Sequence, residues 1–177
     1  MQVTFTRTES RKYSVLVERE YGPRVCVDPA PGYDAHLPHD LVHFVVEVQC
    51  ALRDGIYGQL AAGGNAGLFR PVDEHHTKQW ARKYRRKNEL SGQDIPRSEQ
   101  LASVGLVEWY ARTGRAEPRA EHQQWIDSVE LSPAELDALV ARLDQVSARW
   151  QELGVGESMT LDWPWPERRT GRRRTSA

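Results

Sequence analysis

The sequence predicts an α+β fold in which a small N-terminal antiparallel β-meander packs against about four α-helices. Short segments of alternating apolar and polar residues occupy the first thirty positions, and longer segments with apolar residues at helical spacing follow. The composition, 39% hydrophobic and 28% charged, is typical of a globular protein. We expect residues 1–166 to form a single α+β domain and residues 167–177 to form a basic disordered tail.

The meander is predicted from three short strands near residues 2–6, 13–18 and 24–28, which are separated by turn-forming residues. Residues 159–163 also alternate, and we expect them to rejoin this sheet. So small a sheet is stable only when one face is buried, so the helices are expected to cover it.

The first predicted helix begins at Pro38, because proline is well tolerated at the first helical position. A short helix is expected in the middle of residues 54–67, and a glycine-rich loop that ends at Gly67 follows it. The loop lacks the pattern of known phosphate-binding loops. We therefore interpret its glycines as allowing a tight return or close helix packing.

Three further helices are predicted after residue 72. One extends from an N-cap at Asp73 to about Asn88, and one extends from Ser98 to Gly114. The last begins with the capping box Ser132-Pro133-Ala134-Glu135 and continues with apolar residues at helical spacing.

The segment His39-Asp40-Leu41-Val42-His43 contains residues that could bind a metal ion or act in catalysis. At about 100° per residue, His43, Glu47 and Asp40 lie roughly 40°, 80° and 100° from His39 on one helical stripe. Two histidines spaced i and i+4 can bind one metal ion. We predict His39, His43 and Glu47 as ligands of a divalent metal, with zinc favoured and iron as the alternative, and Asp40 as a catalytic base or an orienting residue.

Three other histidines, His36, His75 and His76, are candidates for an additional ligand, although solvent-exposed histidines are common in such positions. The same stripe also has a non-catalytic interpretation. Asp40 lies in the first helical turn, where an acid interacts favourably with the helix dipole. His43 and Glu47 could form an ordinary surface pair.

The motif resembles two groups of metal-binding proteins. It is similar to the HExxH motif of zinc proteases with Asp40 in the second position, and it resembles more closely the HDxxH motif of the zinc-binding helical family of ubiquinone biosynthesis. In that family eleven residues separate the second histidine from a glutamate, and at the matching position this chain has Gly55. The stretch from His39 to Gly67 also resembles a family of small uncharacterised bacterial proteins that share PHDLVHFVVE and GQLAAGGNAG.

These features leave three functional hypotheses. The first is a metal-dependent enzyme, either hydrolase-like or active in small-molecule biosynthesis. The second is a non-enzymatic binding or interaction module without metal. The third is nucleic-acid binding through the basic helix 78–87 and the arginine-rich tail, which the net charge of −1 disfavours.

Two cysteines, the absence of a signal-peptide pattern and the lack of a long apolar run predict a cytoplasmic protein that does not enter a membrane. We expect an unidentified small molecule as its substrate, and no residue is assigned to an organic cofactor. A homo-oligomer is compatible with the sequence.

Overall fold

The computed structural model describes residues 1–73, 75, 77–116 and 122–167. The predicted α+β fold is confirmed, because a five-stranded antiparallel sheet packs against helices, of which four are longer than two turns. The strands are β1 (Gln2–Glu9), β2 (Lys12–Glu18), β3 (Val25–Val27), β4 (Arg70–Pro71) and β5 (Ser158–Asp162). The helices are α1 (His39–Gln49), α2 (Ile56–Ala61), α3 (Lys78–Asn88), α4 (Ile95–Arg112), α5 (His122–Asp127) and α6 (Pro133–Gln151).

The strand order is β4-β3-β2-β1-β5, and every neighbouring pair is antiparallel. The predicted meander forms β1 to β3, and the C-terminal strand rejoins the sheet as expected, with Met159 opposite Phe5. The two-residue strand β4 at the far edge was not predicted. Its Pro71 is compatible with an edge strand because proline has no backbone N–H to donate to a further neighbour.

One face of the sheet is buried and forms one side of the hydrophobic core. Alternate residues of its longer strands are buried because successive side chains of a strand point to opposite faces. Phe5 contacts Phe44 of α1 and Tyr57 of α2, with ring centroids 6.2 and 6.4 Å apart respectively. Tyr13 lies edge-on to Trp150 of α6, with a centroid distance of 6.2 Å. The first, second and sixth helices therefore cover the sheet.

Helix α4 forms the next layer, and it packs against both α1 and α6. As a result α1 lies between the sheet and α4, and each of its residues from position 40 to position 47 is buried. Its apolar side meets the sheet, and His43 and Glu47 of its polar stripe contact Ser98 of α4.

Local sequence signals located the start of α6 correctly but misplaced the start of α3. The capping box of α6 is present, with the Ser132 and Glu135 side chains each bonded to the other residue's backbone N–H. Helix α3, in contrast, begins at Lys78 rather than near Asp73, and the Thr77 hydroxyl accepts the capping hydrogen bond from the backbone N–H of Trp80.

In the part of the chain that the structure describes, no helix is both long and apolar enough to cross a lipid bilayer.

The glycine-rich loop after α2 is held by protein groups. The buried guanidinium of Arg19 donates hydrogen bonds to the carbonyl oxygens of Leu60 and Gly64, at 3.3 and 2.8 Å. The Asn88 side chain accepts a hydrogen bond from the backbone N–H of Asn65. These contacts support the interpretation that the glycines permit close packing.

Gly55 precedes α2, and its lack of a side chain makes room for Glu47. An added Cβ at Gly55 would lie 2.4 Å from the Glu47 carboxyl carbon, which is far inside van der Waals contact. This close approach lets the Glu47 oxygens accept hydrogen bonds from the backbone N–H groups of Ile56 and Tyr57, at 2.7 and 2.9 Å. The carboxylate thus binds the first N–H groups of the second helix.

We expect Gly55→Ala to lower the free energy of unfolding by about 1–3 kcal/mol, because the methyl group displaces a fully buried carboxylate. Gly154→Ala is the matched control, since its Cβ would meet its nearest neighbour, a Glu157 carboxylate oxygen, at 3.4 Å. Urea unfolding of both variants measures the difference. Equal stabilities for the two variants would contradict the tight fit at Gly55.

Candidate metal centre

Helices α1 and α4 bring together two imidazoles and one carboxylate. His39 and His43 lie one turn apart on α1, and Glu99 lies near the start of α4. One potential donor atom from each of these three side chains lies within 4.8 Å of the other two. These residues therefore form a group that could hold a metal ion.

The position of His39 depends on the loop before α1. Its backbone N–H donates to the Gly32 carbonyl oxygen at 3.1 Å. Gly32 has φ +70°, and a Cβ at this glycine would lie 2.6 Å from the His39 Cβ. The loop can approach the helix so closely only with glycine here, and the His39 ring remains exposed to solvent.

His43 is the fixed member of the group. Its side chain is fully buried, and its ring centroid lies 4.5 Å from that of His39. Its Nδ1 atom lies 2.8 Å from the Ser98 hydroxyl oxygen. Its Nε2 atom is buried and makes no hydrogen bond to any described residue. Most buried polar atoms have a hydrogen-bond partner, so this nitrogen is available to a further group.

Glu99 approaches His43 from the facing helix. The distance between Glu99 Oε2 and His43 Nε2 is 3.4 Å, and the Glu99 side chain is 53% exposed. Burial, followed by the neighbouring His39, lowers the pKa of His43 to about 4. At neutral pH His43 is therefore uncharged, so this contact is no ion pair, and its ring can offer a lone pair to a metal.

The spacing of the donor atoms suits a small divalent ion. Zinc bonds to histidine nitrogen and carboxylate oxygen of about 2.0–2.2 Å place two tetrahedral ligand atoms roughly 3.3–3.6 Å apart. The Glu99–His43 distance already has this value. His39 and Glu99 are exposed, so rotation of these two side chains can close the remaining distances around the buried His43.

The predicted third ligand, Glu47, lies outside this group. Its carboxylate is fully buried and accepts hydrogen bonds from the start of α2 and from the Ser98 hydroxyl, the latter at 3.0 Å. Burial raises its pKa to about 7, and the hydrogen bonds that it accepts act in the opposite direction. Glu47 therefore supports the Ser98 side chain that contacts His43, and Glu99 is the carboxylate that joins the two histidines.

Asp40, the predicted catalytic residue, lies beside the group and connects α1 to the sheet. Its Oδ2 accepts a hydrogen bond of 2.6 Å from the Tyr13 hydroxyl, and its backbone carbonyl oxygen accepts one of 2.9 Å from the Tyr57 hydroxyl. Burial raises the pKa of Asp40, the Tyr13 hydrogen bond and the nearby His39 lower it, and Glu99 raises it. Its carboxylate is thus within electrostatic range of two members of the group.

Of the three additional histidine candidates, His36 and His75 are not part of the group. His36 Nδ1 lies 3.4 Å from Gln151 Oε1, so its ring faces α6. His75 is exposed near the start of α3. His76 lies outside the described residues.

The basic helix α3 directs its two aromatic residues inward. Trp80 and Tyr84 are 5% and 1% exposed, and their rings stack on each other with centroids 3.9 Å apart. They are therefore not presented to solvent as a surface on which bases could stack. This arrangement matches the interpretation of the helix as a solvated basic face with its aromatics in the core.

Sequence reasoning missed Ser98 and Glu99 because their relation to α1 depends on how two helices pack. One local signal was available: Ser98 occupies the buried stripe of α4 with Ala102, Gly105 and Trp109. A buried polar residue in an apolar stripe needs a hydrogen-bond partner, which a neighbouring element can supply. The sequence gives no indication of which helix supplies it.

Searches of protein-family models, curated proteins and solved structures find no match for this chain.

Two buried groups should give the metal-free protein opposing pH dependences. The pKa of His43 is about 4 in the fold against an ordinary 6.5, so the unfolded chain binds the proton first and stability falls as pH falls from 6.5 towards 4. The pKa of Glu47 is about 7 against an ordinary 4.5, so the folded chain binds the proton first and stability rises as pH falls from 7 towards 4.5.

We therefore expect His43→Asn to become more stable relative to the wild-type protein on acidification from pH 7 to pH 4.5. The gain should be at least about 1.4 kcal/mol, the equivalent of one pKa unit. Glu47→Gln should show the opposite trend. Urea unfolding at both pH values in a chelating buffer measures these differences, and curves parallel to those of the wild-type protein would contradict the assignment.

Proposed function

We propose that this protein binds one divalent transition-metal ion through His39, His43 and Glu99 and uses it as a hydrolytic centre. The observation that carries the proposal is the buried Nε2 atom of His43, which has no hydrogen bond among the described residues and lies 3.4 Å from a Glu99 oxygen. Protein interiors rarely leave such an atom without a partner, and a metal ion would supply one.

Zinc is the favoured ion, because two imidazoles and one carboxylate form a common zinc ligand set and leave a fourth position for water. Iron(II) is the alternative, since the same three ligand types also hold non-haem iron. The exposure of His39 and Glu99 would let a small-molecule substrate reach the fourth position. A bound divalent ion would lower the pKa of its water and so supply a nucleophile near neutral pH.

Asp40 is the proposed proton acceptor for this chemistry. Its carboxylate is buried beside His39 and has a raised pKa, and the Tyr13 hydroxyl fixes its orientation. A carboxylate whose pKa is shifted towards neutrality exchanges protons more readily under neutral conditions. Tyr13 and Tyr57 would hold Asp40 in place through its side chain and its backbone.

The metal proposal is tested by elemental analysis of protein purified without a histidine tag and reconstituted with zinc or iron(II). We expect one ion per chain in the wild-type protein and a loss of the ion in His39→Ala and His43→Ala. His36→Ala and His75→Ala are matched controls that should retain it. Reconstituted wild-type protein without metal would overturn the proposal and favour a non-enzymatic interaction module.

The role of Asp40 is tested with Asp40→Asn, which retains an oxygen that can accept the Tyr13 hydrogen bond. We expect this variant to bind zinc as the wild-type protein does. Its zinc-dependent hydrolysis of p-nitrophenyl acetate or bis(p-nitrophenyl) phosphate should fall by about 10²–10⁴-fold, the usual contribution of a general base. Hydrolysis at the wild-type rate by Asp40→Asn would remove Asp40 from the mechanism.

A further inference from the structure

A hydrogen-bonded chain runs from the buried Glu47 through Ser98 to the proposed ligand His43. The Ser98 hydroxyl oxygen lies 3.0 Å from Glu47 Oε1 and 2.8 Å from His43 Nδ1. All three residues are fully buried, and they come from two different helices. Because Ser98 is inaccessible to substrate, it is not placed to act as a nucleophile.

The direction of these hydrogen bonds follows from counting protons. The Glu47 carboxylate also accepts from the backbone N–H groups of Ile56 and Tyr57, so every neighbour in this network can donate to it. An ionised carboxylate only accepts, and a serine hydroxyl carries one proton. When that proton is donated to Glu47, the Ser98 oxygen is left to accept a hydrogen bond from His43 Nδ1–H.

A neutral imidazole carries a single N–H group, so a proton on Nδ1 leaves Nε2 with a free lone pair. Nε2 is the atom of His43 that faces Glu99 and lacks a hydrogen bond to the described residues. The same network that fixes the proton thus leaves the metal-facing nitrogen ready to bind an ion.

We propose that Glu47 and Ser98 are positioning residues that hold His43 in the Nδ1–H tautomer, so that its Nε2 atom can bind the metal. This inference rests on the proposed function and extends it to residues that do not touch the ion. Histidine ligands commonly donate their second ring N–H to a carboxylate or carbonyl oxygen. Here a serine hydroxyl transmits the effect of the Glu47 carboxylate to the ring.

The opposite tautomer would have a different hydrogen-bond pattern. With the proton on Nε2, the ring would point an N–H towards Glu99 and could not bind a metal through that atom. Ser98 would then donate to Nδ1, and Glu47 would lose one of its hydrogen-bond donors while remaining buried. The two states place the proton on different nitrogens, and NMR can distinguish them.

The decisive measurement is the tautomer of His43 in the metal-free wild-type protein. Nitrogen-15 chemical shifts of the histidine ring are recorded at pH 8, where Glu47, with its pKa of about 7, is mainly ionised. The His43→Ala spectrum assigns the signals. We expect the proton on Nδ1, and a proton on Nε2 overturns the inference whether or not the protein binds metal. Failure to bind both zinc and iron(II) would overturn the proposed function separately.

A variant series then tests the contribution of Ser98 to metal binding. We expect Ser98→Ala to give a mixture of His43 tautomers and to bind zinc about 10–100-fold more weakly, the usual effect of losing such a supporting contact. Ser98→Thr retains the hydroxyl and should restore both properties. Ser103→Ala is the control, because Ser103 is exposed on the same helix.

Zinc affinities are measured by competition with a chromophoric chelator, and thermal unfolding of the metal-free variants reports whether each one folds. Wild-type affinity and an unchanged tautomer in folded Ser98→Ala would overturn the inference. If neither substitution at Ser98 folds, the tautomer of the wild-type protein still decides the question.

Discussion

The packing of helices α1, α2 and α4 depends on the hydrogen bonds that the buried carboxylate of Glu47 accepts. A carboxylate removed from water costs several kcal/mol unless hydrogen bonds replace its hydration. Glu47 receives them from the backbone at the start of α2 and from Ser98 of α4. One side chain of α1 therefore fixes the positions of two other helices, and Gly55 provides the space that it needs.

The same constraint explains why a polar stripe can exist on a helix that is buried on both sides. Apolar residues of α1 pack on the sheet, and its polar residues find partners in Tyr13, Ser98 and the second helix. Each of these hydrogen bonds contributes about 1 kcal/mol, yet leaving one buried partner unsatisfied costs more than that. The polar contacts thus restrict how α1 and α4 can pack, in addition to any chemistry they perform.

Much of the fold could be predicted because its signals are local. Alternation in β1 and β2 marked the strands, and the box at Ser132 marked the start of α6. The start of α3 was misplaced because both Asp73 and Thr77 are capable N-caps, and Asp73 instead pairs with Arg24 across the sheet edge. Sequence spacing alone does not decide between two such caps.

The sequence could predict only the part of the candidate site that lies on helix α1. The i,i+4 spacing identified His39 and His43, whose rings do lie together. It also assigned Glu47 to the ion, because a helical wheel shows the direction of a side chain and nothing of its partners. Glu99 is brought to the histidines by the packing of α4 against α1, a contact between distant parts of the chain. No local pattern encodes that contact.

The donors of the site come from segments that are separated by more than fifty residues, since His43 lies on α1 and Glu99 on α4. An ion shared by the two helices would close this long loop and act as a removable cross-link between them. Since such an ion binds only the folded chain, its binding energy would add to the stability of the whole helical layer. Metal supply would then set how firmly the two helices are held together, as well as whether any reaction can proceed.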